Sequence, residues 1–408
     1  MRISTLQAFN NGVAGIQRNY SNATRTQEQI STGNRILTPA DDPVASVRLL
    51  QLEQQQNVLS QYNSNLTAAK NSLTQEEVTL NSVNTVLQRV RELAVQAGNG
   101  ALDPQDRKSI AAELGEREDE LLSLMNTRNA RGEYLFSGFQ GKTQPFALED
   151  GKYVYRGDEG QRQLQIASSL NIPISDNGKS VFQSVVNAGR LTIDDPSALG
   201  FPVSAPLVND EVAFAKYSGI RIDFHSTDPS KYEVFGLPKD GSAEVSLGTS
   251  SLDADSEKED KLVFGGVTLF VGGQPAAGSS ISVLAKSPAE EKQGILDTIA
   301  NLRSALENPS TGNTGVRDAV AVALTNLDHG MVSVDQARGN IGARLNVIET
   351  TQTDNEDVAL VNKGVQAELR ELDYAEALSR LSMQTVVLEA AQQSYVKIAG
   401  LSLFNVMR

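Results

Sequence analysis

The chain has 408 residues, with 36 basic against 50 acidic side chains, a formal net charge of −14, two histidines and neither cysteine nor tryptophan. The length predicts two or three domains at about 150 residues each. The missing cysteine excludes disulfides, thiolate metal sites and thiol nucleophiles, the widely spaced His225 and His329 exclude a histidine-rich metal centre, and the acidic balance argues against nucleic acid as a partner.

Met1-Arg2-Ile3-Ser4-Thr5 leads into polar residues, with no apolar segment and no small-residue cleavage site. No run approaches the roughly 18 apolar residues of a membrane span. A soluble chain without a cleaved leader is expected, and the absence of cysteine suits a chain that crosses a compartment boundary unfolded.

The first predicted element is a helix. Leu6, Phe9, Val13, Ile16, Tyr20, Ala23, Gln27 and Ile30 recur in alternating steps of three and four, a heptad seam with one polar interruption. Thr38-Pro39-Ala40-Asp41 and Asp42-Pro43 each place a capping residue before a proline suited to a first helical turn. A longer seam follows from Leu52 through Leu59, Leu66, Leu73, Leu80, Leu87 and Ala94. A helix from about Val44 to Gly98 would be about 80 Å long at 1.5 Å per residue, which predicts a rod. After Gly98-Asn99-Gly100, Asp103-Pro104 opens a third helix to about Asn129, with Ile110, Leu114, Leu121 and Leu124 on one side.

From about Thr143 to Lys286 the pattern changes to period two, with more glycine, proline and aromatics. Candidate strands are Tyr153-Val154-Tyr155, Leu164-Gln165-Ile166, 220–224, 232–235, 261–264 and 267–271, with Gly265-Gly266 as a hairpin turn between the last two. Helical patterning returns at Ser287-Pro288-Ala289-Glu290, a capping-box form expected to open a helix carrying Ile295, Ile299, Leu302 and Leu306. A turn-rich break at 308–315 precedes a seam from Val320 through Leu327, Val334 and Ile341 to Ile348. A last seam runs through Tyr374, Leu378, Leu381, Thr385, Leu388, Gln392, Tyr395 and Ala399, with Gly364 as a possible break before it.

The expected fold is α+β: a long antiparallel helical coiled-coil rod formed by both termini, with an inserted β-rich domain. The expected division is an N-terminal polymerisation helix at 1–37, the two halves of the rod at 38–142 and 287–373, the inserted domain at 143–286, and a C-terminal polymerisation helix at 374–408.

Sites of chemistry are not expected. Gly138-Phe139-Gln140-Gly141-Lys142-Thr143 imitates a phosphate loop, but Phe136 stands where its first glycine belongs. Asp253-Ala254-Asp255 starts like a calcium loop, but Lys258 and Phe264 occupy the positions that need glycine and glutamate. No catalytic, cofactor-binding or metal residues are assigned, and no cofactor. The end segments instead read as packing surfaces. They are rich in Gln, Asn, Ser and Thr, and alone they bury too little to offset backbone ordering. They are expected to fray in a lone chain and to order against other subunits through Leu6, Phe9, Val13, Ile16, Tyr20 and Ile30 at one end. Leu378, Leu381, Leu388, Tyr395, Leu401, Leu403 and Phe404 would serve at the other.

Gln29-Ile30-Ser31-Thr32-Gly33-Asn34-Arg35-Ile36, followed by Pro39-Ala40-Asp41-Asp42-Pro43-Val44-Ala45, resembles the N-terminal signature of bacterial flagellin-like proteins. Ala337-Arg338-Gly339-Asn340-Ile341-Gly342-Ala343-Arg344-Leu345-Asn346 and Leu372-Asp373-Tyr374-Ala375-Glu376-Ala377 resemble the matching C-terminal segments. On this resemblance Gly33, Arg35, Asp41, Asp42, Pro43, Gly342, Asp373, Tyr374 and Ala375 are signature residues. The short Met1–Thr5 opening, the segment 134–139 and Leu401-Ser402-Leu403-Phe404 are similar to the hook–filament junction members of that family, whereas the ending Val406-Met407-Arg408 departs from filament flagellins.

The resemblance implies a structural protein of the bacterial flagellum rather than an enzyme. It implies an extracellular location reached through the flagellar type III export channel without signal cleavage, after keeping by an export chaperone. It further implies assembly through the terminal helices, in a layer of identical subunits, between hook-associated protein 1 and flagellin, with neither nucleic acid nor membrane as partner. A minor flagellin of the filament, or a β-domain binding module or adhesin on a helical stalk, is the alternative.

Overall fold

The computed structural model describes residues 2–195, 199–253, 255, 258–308 and 312–406, with the side chains at 2–6, 8 and 398–406 outside the described set. In chain order these residues form α1 (Arg2–Thr32), α2 (Pro43–Ala97) and α3 (Pro104–Met125), then the strands β1 (Phe146–Glu149), β2 (Lys152–Tyr155), β3 (Gln163–Ala167) and β4 (Leu170–Pro173). There follow β5 (Leu191–Ile193), β6 (Leu207–Val208), the one-turn α4 (Glu211–Phe214), β7 (Tyr217–Phe224), β8 (Lys231–Pro238) and β9 (Val245–Ser251). The chain continues through β10 (Asp260–Phe264), β11 (Val267–Val271) and β12 (Ser280–Ala285) to α5 (Ile295–Glu307), α6 (Gly312–Arg370) and α7 (Tyr374–Val406). They pack as two compact units, residues 66–348 and the end segments 1–65 with 349–408.

In the 66–348 unit, the parts of α2 and α6 that it contains run antiparallel. Asn84 donates to Asp335 at 3.3 Å and Arg91 to Asp328 at 2.7 Å, so the paired positions descend on one helix as they rise on the other. The apolar seam supplies the reason: Leu66, Leu73, Leu80 and Leu87 are fully buried against Leu327, Val334 and Ile341, with Leu114 and Leu121 of α3 and Ile299 and Leu302 of α5 completing the layer. The hairpins β1–β2 and β3–β4 share this core through Phe146, Tyr153, Ile166 and Ile172.

A second core belongs to the later strands. A five-stranded antiparallel sheet in the order β5-β12-β7-β8-β9 and a three-stranded sheet β10-β11-β6 enclose Val208, Phe214, Ile222, Val234, Leu269 and Ile281. The block 143–286 is thus divided between two cores. Gly265 and Gly266 form the two-residue turn between β10 and β11, with φ of +56° and +82°, which glycine adopts without steric penalty.

Three helix boundaries differ from the sequence reading. The third helix stops at Met125 instead of about Asn129, because the Asn126 side chain accepts the Phe146 N–H and donates to its carbonyl, drawing the chain toward β1. The proline start at Ser287 makes only a single 3₁₀ turn at Pro288–Glu290. Residues 291–293 are then spent bonding to 185–187, and α5 begins at Ile295 after Gly294. Gly364 breaks nothing: α6 is continuous from Gly312 to Arg370, absorbing a cost of about 1 kcal/mol for an interior glycine.

In the unit made by the end segments, α1 and α7 lie antiparallel. The Phe9 and Tyr395 rings sit 5.2 Å apart, and Gly12 lets the Tyr395 ring approach α1 closely. Its interior is thin. Among the described residues, its buried apolar side chains are Ala23, Ala45, Leu59, Leu372 and Ala377, most of them alanines.

Candidate assembly surface and the junction beneath it

Two short connections, 33–42 and 371–373, join the terminal helices to their neighbours, and most signature residues lie in or beside them. α1 ends because Gly33 turns into the left-handed region at φ +70°, with its N–H on the Gln29 carbonyl at 2.8 Å. The backbone conformation requires glycine, and a Cβ there would sit 2.8 Å from the Tyr374 hydroxyl oxygen, so the ring tip would also have to move aside. The connections then pair with each other. Leu372 N–H donates to the Gly33 carbonyl at 3.0 Å and Arg35 N–H to the Arg370 carbonyl at 2.7 Å. The Arg35 guanidinium reaches the Leu369 carbonyl at 2.9 Å, Arg370 reaches Asn34 Oδ1 at 2.9 Å, and the buried Gln29 donates to the Arg35 carbonyl at 2.6 Å.

Three aspartates fasten this junction. Asp41 accepts the N–H groups of Leu37 and Thr38 at 2.9 and 3.0 Å, the Thr38 hydroxyl at 2.9 Å, and Arg25 at 2.6 Å. These contacts, the Thr38 amide foremost and the Leu37 amide next, hold its carboxyl below the ordinary aspartate value. Asp42 accepts the Ala45 N–H at 3.0 Å, capping α2 with Pro43 in the first turn. Asp373 accepts the N–H groups of Ala375 and Glu376 at 2.9 and 3.1 Å and caps α7. The structure therefore brings Gly33, Arg35, Asp41, Asp42 and Pro43 together with Asp373, Tyr374 and Ala375. Gly342 belongs to the other unit, on α6, with open space where a Cβ would point.

The expected packing residues are spread along α1 and α7. Phe9, Tyr20 and Leu378 are about half or more exposed, at 48%, 63% and 55%. Val13, Ile16, Ile30, Leu381, Leu388 and Tyr395 are half-buried between the two helices or at their margins. Leu6, Leu401, Leu403 and Phe404 lie on the helical backbone, but their side chains fall outside the described residues. Sequence reasoning missed others. Met383, Val386 and Val387 give α7 an apolar outer face opposite its seam, and Val44, Val47 and Leu50 stand out from the start of α2. A helix apolar on both faces is ordinarily covered on both. The signal was present as valine and leucine off the heptad seam, at spacings of three and four, but a search for one stripe passes over a second.

Both decoy motifs carry hydrogen bonds within the chain. Asp158 accepts the N–H groups of Phe139 at 2.9 Å and Gly160 at 2.7 Å, occupying the would-be phosphate loop with a carboxylate. Asp253 accepts the Asp255 N–H at 2.8 Å. Among the described residues no three His, Asp or Glu side chains are placed to hold a metal ion, and no helix is long and apolar enough to cross a membrane.

Comparison with known proteins places these features in context. The bacterial flagellin N-terminal helical region is matched over residues 3–141. Flagellar hook-associated protein 3 of Escherichia coli is 27% identical over 408 residues, covering 100% of both chains. The flagellin of Clostridium tyrobutyricum is 22% identical, covering 94% of this chain and 95% of its own. Among solved structures, flagellar hook-associated protein 3 from Legionella pneumophila superposes with a TM-score of 0.63 at 28% identity, covering 78% of this chain and 98% of that one.

Proposed function

We propose that the chain belongs to the bacterial flagellin-like family, on the side of flagellar hook-associated protein 3, and that it is the adaptor joining the flagellar hook to the filament. It is a structural component of the flagellum, an extracellular appendage, and not an enzyme. The observation that carries the junction reading is likeness from end to end: every part of the chain, including the β-rich block, aligns with hook-associated protein 3. The flagellin matches at lower identity.

The proposed mechanism follows from the thin unit at the chain ends. That unit holds under a third of the residues but more than half of the large exposed apolar side chains among the described residues. At about 25 cal/mol per Å² of apolar surface removed from water, covering such faces is worth several kcal/mol per subunit. A neighbouring copy with the same faces can supply that cover, so order in α1 and α7 is coupled to assembly by mass action. In this reading Leu378, Leu381, Leu388 and Tyr395 pack with Phe9, Val13, Ile16 and Tyr20 of the same and adjacent subunits. Hook-associated protein 1 and flagellin bound the layer on its two sides. A chaperone covering α7 before export would keep the exposed face from premature association, and export through the type III channel would need no cleaved leader.

Immunogold labelling of intact flagella tests the position. A single labelled band where hook meets filament is expected. Label distributed along the filament would overturn the junction reading in favour of a minor flagellin.

A further inference from the structure

The segment after β4 crosses the face of the paired helices α2 and α6, and at the crossing two buried carboxylates meet a half-buried arginine. Arg344 of α6 grips Asp176 with both guanidinium nitrogens, at 2.9 and 3.1 Å, and Gln161 donates to the same carboxylate at 2.6 Å. The Asp176 N–H donates across to Glu76 Oε1 of α2 at 3.0 Å. Glu76 is only 1% exposed and Asp176 6%.

The charges do not balance if all three groups ionise: two carboxylates face one guanidinium. The other cation facing Glu76 is Arg162, and it is committed to Glu133 at 2.7 Å. Arg344 is spent bidentately on Asp176. Among the described ion pairs Glu76 has no cation of its own, and an unpaired buried charge costs far more than a buried neutral acid.

We propose that Glu76 keeps a proton at neutral pH, and that this proton makes Glu76, Asp176 and Arg344 a latch fastening the segment after β4 to α2 and α6. Burial first, and the Asp176 charge second, raise the Glu76 carboxyl from the ordinary 4.5 to about 8, while the Asp176 amide, Arg344 and Arg162 pull the other way. The folded chain thus holds a proton that the unfolded chain has lost anywhere between those two values. The stability contributed by that proton is complete below 4.5, declines as pH rises, and is gone above about 8. Past that point the two adjacent carboxylates repel, and the latch loosens.

The test compares thermal unfolding of the intact chain and Glu76→Gln from about pH 5 to about pH 9. The wild-type midpoint is expected to fall relative to the variant as pH rises, then run parallel above about 8. Infrared spectra at neutral pH should show a protonated buried carboxyl in the wild type that the variant lacks, which separates Glu76 from Asp297, another carboxyl raised by burial. Parallel melting profiles throughout, with no carboxyl band lost, would overturn the proposal. Should Glu76→Gln not fold, infrared titration of the wild type decides: a carboxyl band bleaching near pH 8 supports the latch, and its absence at neutral pH overturns it.

Discussion

Gly33 stands where two demands meet: a left-handed backbone at φ +70° and the Tyr374 hydroxyl 2.8 Å from any Cβ. Gly33→Ala is therefore expected to destabilise the junction by about 1–2 kcal/mol from the backbone alone, with the collision added. The variant should reduce the amount of protein retained in purified flagella while the melting of the 66–348 unit stays unchanged. Tyr374→Phe in the same chain removes the colliding oxygen and should recover part of the loss. Retention equal to wild type in Gly33→Ala would show that this contact does not shape the junction. These residues were visible in the sequence through family likeness, and Asp42-Pro43 through capping chemistry. Their mutual pairing was not. Hydrogen bonds such as Arg35 N–H to the Arg370 carbonyl join positions more than three hundred residues apart, and backbone groups carry no mark of their partners in the sequence.

The long helices show where periodicity succeeds. The seam from Leu66 to Leu87 repeats every seven residues and is buried throughout, because a stripe that regular has one way to be covered. It fails at ends and second faces. Asn126 leaves α3 because Phe146, twenty residues on, offers both a donor and an acceptor. Residues 291–293 leave the helical pattern because the segment 185–187 needs partners. Neither cause is local. α7 is the element on which assembly should depend most. Leu388→Pro removes a helical hydrogen bond and clashes with the preceding turn, costing about 3 kcal/mol or more. It is expected to abolish incorporation while circular dichroism still reports the strands of the β-rich block. Normal attachment of filaments to cells carrying this variant would contradict the role given to α7.

The molecule as a whole divides its apolar burial unevenly. The 66–348 unit contains two well-filled cores, one shared by helices and hairpins and one enclosed by the later strands. The unit of the chain ends buries mainly alanines and leaves leucines, valines and Met383 exposed. Composition hinted at this contrast, since the ends are rich in amides and hydroxyls, and the α+β class followed from the change of period near Thr143. The division of the β-rich block between two cores was not legible, because short strands of similar pattern do not say which layer they face.

Hydrogen exchange on the free chain and on assembled flagella reads this contrast. In dilute solution, amides at 9–32 and 374–397 should exchange rapidly while those of α2 beyond Leu66 and of α3 stay protected, and incorporation should slow exchange at both ends. Strong protection at 9–32 and 374–397 in the dilute free chain, unchanged on incorporation, would contradict the dependence of the terminal helices on neighbouring copies.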